Sequence, residues 1–323
     1  MKNLPISSQK SKMTNESVPV LVTWDIDPDL WIPLDERKRT LNAAIDVCRS
    51  LNIRATFFFT AQPAHLYLEE LQKMLAQGHE IGCHGLTHGD EENYDRMPEE
   101  MQRSYIEKAT EELQTLVDTP IRAFRSPRVK TSACTLQLLA ENGYQVDSSI
   151  CSQRIDFVSS NLINVGWLFA PRRPYHPHRN SPFRVGDVPT WEIPISAVIL
   201  PFISSTMKVL RLSAMKMFFR LLYVESRYTG KPIVYLAHPA EFRPRRGKSQ
   251  NLYTECIRYI KPEYLSPTFI RTHGFRFRNA FYRIDGEALL DSTRELFGYM
   301  ASFPDVTFVT ASEYARQNLE GRA

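Results

Sequence analysis

The chain has 323 residues, 43% of them apolar, and a formal net charge of +4. That is apolar material for a large core, in one α/β barrel or in two domains. Five cysteines (Cys48, Cys83, Cys134, Cys151, Cys256) are odd in number and lack a C-x-x-C pair. They exclude a disulfide scaffold and point to reduced, mostly buried thiols in a cytoplasmic protein.

Residues 1–18 are polar, carry no apolar signal-peptide core and read as a disordered lead-in. From residue 19 onward, strand-like and helix-like patterns alternate at intervals suited to βα units. Strands are predicted at Val20–Asp25, Arg54–Thr60, Glu80–His84, Ala123–Arg125 and Gln145–Ser149. Helices are predicted between them at Arg37–Leu51, His65–Gln77, Pro98–Val117 and Ser132–Asn142, with Gly78 and Gly143 where helices stop. A proline-rich passage from Pro171 to Pro194 cannot form a regular helix. The helical segment Met207–Val224 is apolar almost all the way round, which calls for burial or for packing against another subunit. Late strands follow at Ile233–His238 and Val306–Thr310, with a helix at Gly286–Met300 before the second. No stretch reaches the length of a membrane span.

Residues with chemical potential collect at the ends of these strands. Asp25 and Asp27 follow the first, His84 ends the third, Arg125 the fourth and His238 a late one, while Asp147 lies in the fifth. In a parallel α/β barrel the C-terminal strand ends converge on one mouth, where active sites are built. His84 and His88 alone could be two surface or core histidines. Glycines at 82, 85 and 89 place the pair on a strand-to-loop turn, and Gly85 occupies the position where a helical zinc-protease motif carries glutamate. Two imidazoles and a carboxylate are a ligand set that leaves a metal coordination position open for water. Asp25 and Asp27, two apart in extended chain, point the same way, and two such carboxylates need a cation between or beside them. Asp27 on a metal and Arg125 beside Asp25 would resolve that conflict; an ordinary structural ion pair is the alternative for Arg125.

The order Asp-x-Asp, His-x-x-x-His, Arg-x-Pro, Gly-Tyr-x-x-Asp-Ser-Ser and Leu-x-His resembles the polysaccharide deacetylases with the NodB homology domain, carbohydrate esterase family 4. The segments Ala55-Thr56-Phe57-Phe58-Phe59, Gly78-His79-Glu80-Ile81-Gly82-Cys83-His84 and Tyr235-Leu236-Ala237-His238-Pro239 share it. The likeness covers residues 20–155 and resumes near 232. It implies a single distorted (β/α) barrel over 19–323, with insertions at about 156–231 and 243–283. It implies Asp27, His84 and His88 as ligands of a divalent metal, Zn²⁺ first, with Co²⁺ or Ni²⁺ as alternatives. By the same resemblance Asp25 is the base that deprotonates water, Arg125 holds Asp25 in place and ionised, His238 is the acid that protonates the leaving amine, and Asp147 tunes His238. The Asp-x-Asp form, in place of adjacent Asp-Asp, resembles a subgroup that includes deformylases of lipid-linked aminosugars. Arg128 and Trp191 stand at substrate-side positions. For Trp191-Glu192 the alternative is a strand with a buried Trp and a surface Glu, and Glu241 reads as a loop acid. His176 and His178 read as a substrate-side loop, and His65, His79 and His273 as structural.

The expected function is metal-dependent removal of an N-acyl group, acetyl first, from an amino sugar in a saccharide or glycolipid. The alternatives are a deformylase or amidohydrolase on a lipid-linked or non-sugar amide, and a decayed barrel that only binds. Three segments (Arg172, Arg173, Arg179, Arg184; Arg243, Arg245, Arg246, Lys248; Arg271, Arg276, Arg278, Arg283) hold cations and no acid. They are either solvated loops or a face for a phosphorylated or lipid-linked sugar at the inner membrane surface. No motif for nucleic acid accompanies them. An oligomer is compatible with the apolar helix.

Overall fold

The computed structural model describes residues 17–154, 166–243 and 282–319. Most of the predicted lead-in and of the second insertion, including Arg245, Arg246, Lys248, Arg271, Arg276 and Arg278, lies outside them, as do Cys256 and His273. In chain order the first half runs β1 (Val18–Ile26), α1 (Leu34–Ser50), β2 (Thr56–Phe59), α2 (Ala61–Ala64), α3 (Leu68–Ala76), β3 (Glu80–Cys83), α4 (Glu99–Val117), β4 (Ala123–Phe124), α5 (Ala133–Glu141) and β5 (Val146–Asp147). Then come α6 (Gly166–Phe169), the short strands β6 (Pro177–His178) and β7 (Ser181–Val185), β8 (Trp191–Glu192), β9 (Ala197–Val198) and β10 (Leu200–Pro201). The long helix α7 (Ser204–Thr229), β11 (Ile233–Ala237), α8 (Gly286–Ala301), β12 (Val306–Phe308) and α9 (Ala311–Tyr314) complete it.

Eight strands form one parallel sheet in the order β11-β1-β2-β3-β4-β5-β8, with β12 also on β1, while β6 pairs with β7 and β9 with β10 in two antiparallel hairpins. The sheet curls into a distorted barrel. Between β8 and β11 closure rests on single bonds: the Ser196 N–H donates to Val234 O (3.2 Å), and the Val234 N–H to Ser196 Oγ (3.0 Å). The predicted first insertion therefore supplies a barrel strand, β8, and the edge residues that seal the gap.

Strand alternation divides the core in two. Val20, Val22, Trp24 and Ile26 face the helices and pack with Leu41, Ala44, Ile45 and Cys48 of α1. Leu21, Phe58, Ala123, Val146, Ile193 and Val234 fill the barrel. Helix α1 shows why the helices sit where they do: its buried residues recur at helical spacing, with Asp35 and Glu36 in the first turn and Arg49 in the last, matching the helix dipole. Ser132 caps α5 through its hydroxyl, which accepts the Thr135 N–H. Gly78 and Gly143 adopt the left-handed conformation (φ 75° and 79°) that ends α3 and α5.

Helix α7 buries Met215, Phe218, Phe219 and Leu222. The Phe219 ring packs on Tyr299 of α8 and on Phe303. Met217, Leu221 and Val224, on the opposite side, are exposed. An apolar circumference thus meets the core on one face only. Among the described residues no helix is long and apolar enough to cross a membrane.

One glycine inside the barrel is dictated by a close approach. A Cβ on Gly82 would lie 2.6 Å from Cδ1 of Phe58 and 3.0 Å from Ala123 O. Gly82→Ala should therefore cost about 1–3 kcal/mol, as overpacking does. Urea unfolding of the variant checks this.

Candidate active site

Strand β1 turns Asp25 into the barrel and carries Asp27 just past its end. Asp25 is 3% exposed and Arg125 0%. Arg125 Nη1 donates to Asp25 Oδ1 and to Thr23 Oγ1, both at 2.8 Å. Its Nε donates to Ser148 O and its Nη2 to Ser148 Oγ, again at 2.8 Å. The guanidinium carbon lies 4.4 Å over the Phe58 ring. A buried charge paired and bonded on every side satisfies the condition under which such a group is tolerated.

The backbone of the same arginine sets His84. His84 Nδ1 lies 2.7 Å from Arg125 O. A carbonyl only accepts, so Nδ1 carries the proton and Nε2 presents a lone pair. That Nε2 lies 3.4 Å from Asp27 Oδ1 and 3.9 Å from Asp25 Oδ2. His88 Nε2 approaches Asp27 Oδ1 at 3.5 Å. Across the cleft, His238 Nε2 lies 3.9 Å from Asp25 Oδ2 and 3.9 Å from Asp27 Oδ2.

Burial pushes the Asp27 carboxyl up, but the neighbouring imidazoles of His88, His84 and His238 outweigh it and hold the group well below the ordinary carboxylate range. Burial lowers His84, yet Asp25 and Asp27 turn the net shift upward; for His88 burial prevails and the shift is downward. Asp29, two residues on, is raised to about 6 by burial and by the Asp27 charge.

Asp27, His84 and His88 are, among the described residues, the group able to hold a metal, their donor atoms lying within 4.8 Å of one another. Asp27 Oδ1 is buried and has no hydrogen-bond partner. Ligands about 2.0–2.1 Å from a tetrahedral ion stand roughly 3.3 Å apart, close to the spacings seen here. The donor set fits a divalent cation.

A residue not singled out from sequence organises this loop. Glu92 is fully buried and accepts the backbone N–H of Leu86 (2.7 Å), Thr87 (2.7 Å) and His88 (2.6 Å), and the Tyr94 hydroxyl (2.9 Å). It bends the loop so that Gly85 takes φ 78° and His88 takes φ 57°. The readable signal was an acid four residues beyond His88, able to reach back to a turn's amides. Arg128, expected at the substrate, instead clamps the loop from the other side: its Nη2 donates to His88 O (2.9 Å) and its Nη1 to Gly89 O (3.0 Å).

The expectations for β5 and β8 change with the pleat. Ser148 shares the inward face with Val146 and meets Arg125, so Asp147 points to the other side. There it lies opposite Glu192, its register partner. Ser149 Oγ donates to Asp147 Oδ1 (2.5 Å), and the Ile150 N–H donates to Glu192 Oε1 (3.1 Å). No described pairing joins Asp147 to His238; the carboxylates beside that ring are Asp25 and Asp27. Glu192 is fully buried and Trp191 half-buried, the reverse of a buried-Trp, surface-Glu strand. The Trp191 ring lies tilted on His176 with centroids 3.7 Å apart and packs against the barrel interior. Glu241 is no loop acid: it accepts from Ser205 Oγ (2.8 Å) and pairs with Lys208 (3.5 Å). His79 is structural as expected, accepting the Ala55 N–H and lowered to about 4 by burial.

Three of the six described cations of the basic segments are held in ion pairs. Arg172 pairs with Glu225, Arg179 with Asp187 and Arg243 with Glu36.

Residues 12–146 match the model of the polysaccharide deacetylase family. The match runs through β1 to the first residue of β5. Among solved structures it is similar to a Mycobacterium smegmatis protein named as a polysaccharide deacetylase (17% identity, 96% of this chain and 92% of that one, TM-score 0.59). It is also similar to one of that name from Pseudomonas aeruginosa PAO1 (15% identity, 94% and 93% covered, TM-score 0.57). At these identities the likeness is one of fold. No curated protein matches the sequence significantly. The family matched over that segment is one of hydrolases that act on amide bonds.

Two outcomes follow from the geometry. Glu92→Ala strands three amides, and metal affinity should fall about 10–100-fold while the fold persists, as loss of a ligand's outer support does; titration calorimetry with Zn²⁺ measures it. Burial raises Asp147 to about 6, and burial together with the facing Asp147 carboxylate raises Glu192 well above the ordinary carboxylate range. Both hold protons more tightly folded than unfolded, where carboxyls titrate near ~4. Their contribution to stability is thus complete below about pH 4 and lost as pH rises through about 6 and beyond. Urea unfolding at several pH values should show the wild type losing stability relative to Glu192→Gln over that rise.

Proposed function

We propose that the chain hydrolyses the N-acetyl group of an amino sugar within a saccharide, with a divalent metal, Zn²⁺ first, held by Asp27, His84 and His88. The observation that carries this reading is Asp25 locked by one oxygen to Arg125 while its other oxygen faces the same space as the three donor atoms. An ion bound there would polarise the acyl oxygen and make water a stronger acid.

The protein's own residues account for the proton movements. Arg125 fixes Asp25 Oδ1, so Oδ2 is the atom that takes the proton of the attacking water. The oxygen of that water adds to the acyl carbon, and the C–N bond then breaks. His238, at the end of β11 on the far side of the two carboxylates, gives its proton to the departing nitrogen. Acetate and a free amine result. Asp27 must stay ionised throughout, and its surrounding histidines favour that.

Cys48 and Cys83 are buried thiols outside any disulfide, and burial pushes both up to about 12. Such inert thiols support a substrate met in a reducing compartment. The retained donor set speaks for an enzyme over a decayed binding barrel.

A screen for acetate and formate release over N-acylated sugars, nucleotide sugars and lipid-linked sugars tests the proposal. Asp25→Asn should lower kcat by about 10²–10⁴ with the metal retained, and His84→Ala should lose the metal in elemental analysis. Full activity in Asp25→Asn, or no metal under any loading condition, refutes it.

A further inference from the structure

Ten of the thirteen large apolar side chains that the described residues expose fall between residues 166 and 231. They belong to four linked elements. Helix α6 carries Leu168 and Phe169, the latter 80% exposed. Strand β7 carries Val185, and its Phe183 packs on Gly166 of α6. The β9–β10 hairpin, which follows Ser196 at the barrel seam, presents Val198, Ile199 and Leu200 in succession. Helix α7 adds Met217, Leu221, Val224 and Tyr228, whose spacing sets them along one stripe.

Polar bonds hold these elements together as one face. The Gln153 N–H donates to Trp167 O of α6 (2.6 Å), and the next residue, Arg154, pairs its backbone with Ile199 at the hairpin tip. Arg172 donates from Nη1 to Ala197 O (2.7 Å) and from Nη2 to Glu225 of α7 (2.6 Å). The tip is strained as well as exposed. Ile199 is β-branched and 61% exposed, yet it holds φ 66°. Closing the turn alone would be served better by glycine.

The positive charge of the chain gathers in the same stretch. Residues 166–231 contain ten Lys and Arg against three Asp and Glu, a surplus of seven in a chain whose whole surplus is four. Arg173, Arg184 and Arg220 are exposed and meet no carboxylate among the described residues; Arg220 donates to the Tyr299 hydroxyl. An exposed apolar face of this extent marks an interaction surface, and its charge selects the partner. Two copies set face to face would oppose like charges. A bilayer with anionic headgroups takes the apolar tips beneath the headgroups and leaves the guanidiniums at their level. No described helix crosses a membrane, so the contact is with the bilayer surface.

We propose that this face, centred on the β9–β10 hairpin, docks the protein on an anionic lipid bilayer. Co-sedimentation of the full chain with vesicles tests it. The measurement needs neither metal nor substrate, so its result is independent of the deacetylase reading. The chain should bind vesicles of phosphatidylcholine mixed with phosphatidylglycerol, bind pure phosphatidylcholine about tenfold more weakly, and lose affinity as salt is added. Arg173→Gln and Arg184→Gln should each weaken binding about fivefold. Ile199→Gly removes the apolar tip and relieves its backbone, so binding should weaken about tenfold while thermal stability holds. Absence of binding to the mixed vesicles, or binding unchanged in all three variants, overturns the proposal. Equal binding to the neutral vesicles does so too. A dimer in sedimentation velocity that Ile199→Gly dissolves, with no vesicle binding, overturns it in favour of a second copy on this face.

Discussion

The site depends on one buried cation. Arg125 sits inside the barrel with no exposed surface and joins Thr23 and Asp25 of the first strand to Ser148 beyond the fifth. Its carbonyl orients the imidazole of His84, so a single residue positions the candidate base through its side chain and a candidate ligand through its backbone. Removing such a partner would leave Asp25 an uncompensated buried charge, a loss of about 3–5 kcal/mol. The packing beneath is arranged for it. Phe58 offers its face to the guanidinium, and Phe58 can lie flat because Gly82 next to it has no side chain.

Much of this was legible in the sequence. The period-two and period-3.6 patterns located α4 (Glu99–Val117) and β11 (Ile233–Ala237) to within a residue. The rule that barrel strands end at a common mouth brought together Asp25, Asp27, His84, Arg125 and His238. It failed at Asp147 for a definite reason. Strand β5 is two residues long, and in so short a run no alternation reveals which side chain faces in. Ser148 takes the inward position, and Asp147 is turned toward a partner, Glu192, that only the pairing of β5 with β8 supplies. Composition treated Glu192 as a surface acid because a lone buried carboxyl is rare; here burial raises both carboxyls and so favours their uncharged forms.

Glu92 and Arg128 show a second kind of illegibility. Both act on main-chain atoms, whose identity no sequence pattern encodes. Glu92 collects amide hydrogens, Arg128 collects carbonyl oxygens, and between them the loop bearing His88 is held in a backbone conformation that a histidine rarely adopts unaided. The strain is local and the restraints outnumber it. This describes a site assembled by the protein before anything binds, which keeps the ordering entropy of binding small.

The position of β1 carries a consequence for how the chain folds. Its nine residues are shared among β2, β11 and β12, so the strand bearing both aspartates pairs with segments near residue 235 and residue 307 as well as with its immediate neighbour. On a ribosome the first two hundred residues can form helices and the β2-to-β5 part of the sheet, but one flank of β1 stays open until almost the whole chain has emerged. Contacts of such sequence separation form late and slowly. The candidate site is therefore among the last features to mature, and nascent chains pass through a stage in which one edge of the central strand is unpaired and open to chaperone capture.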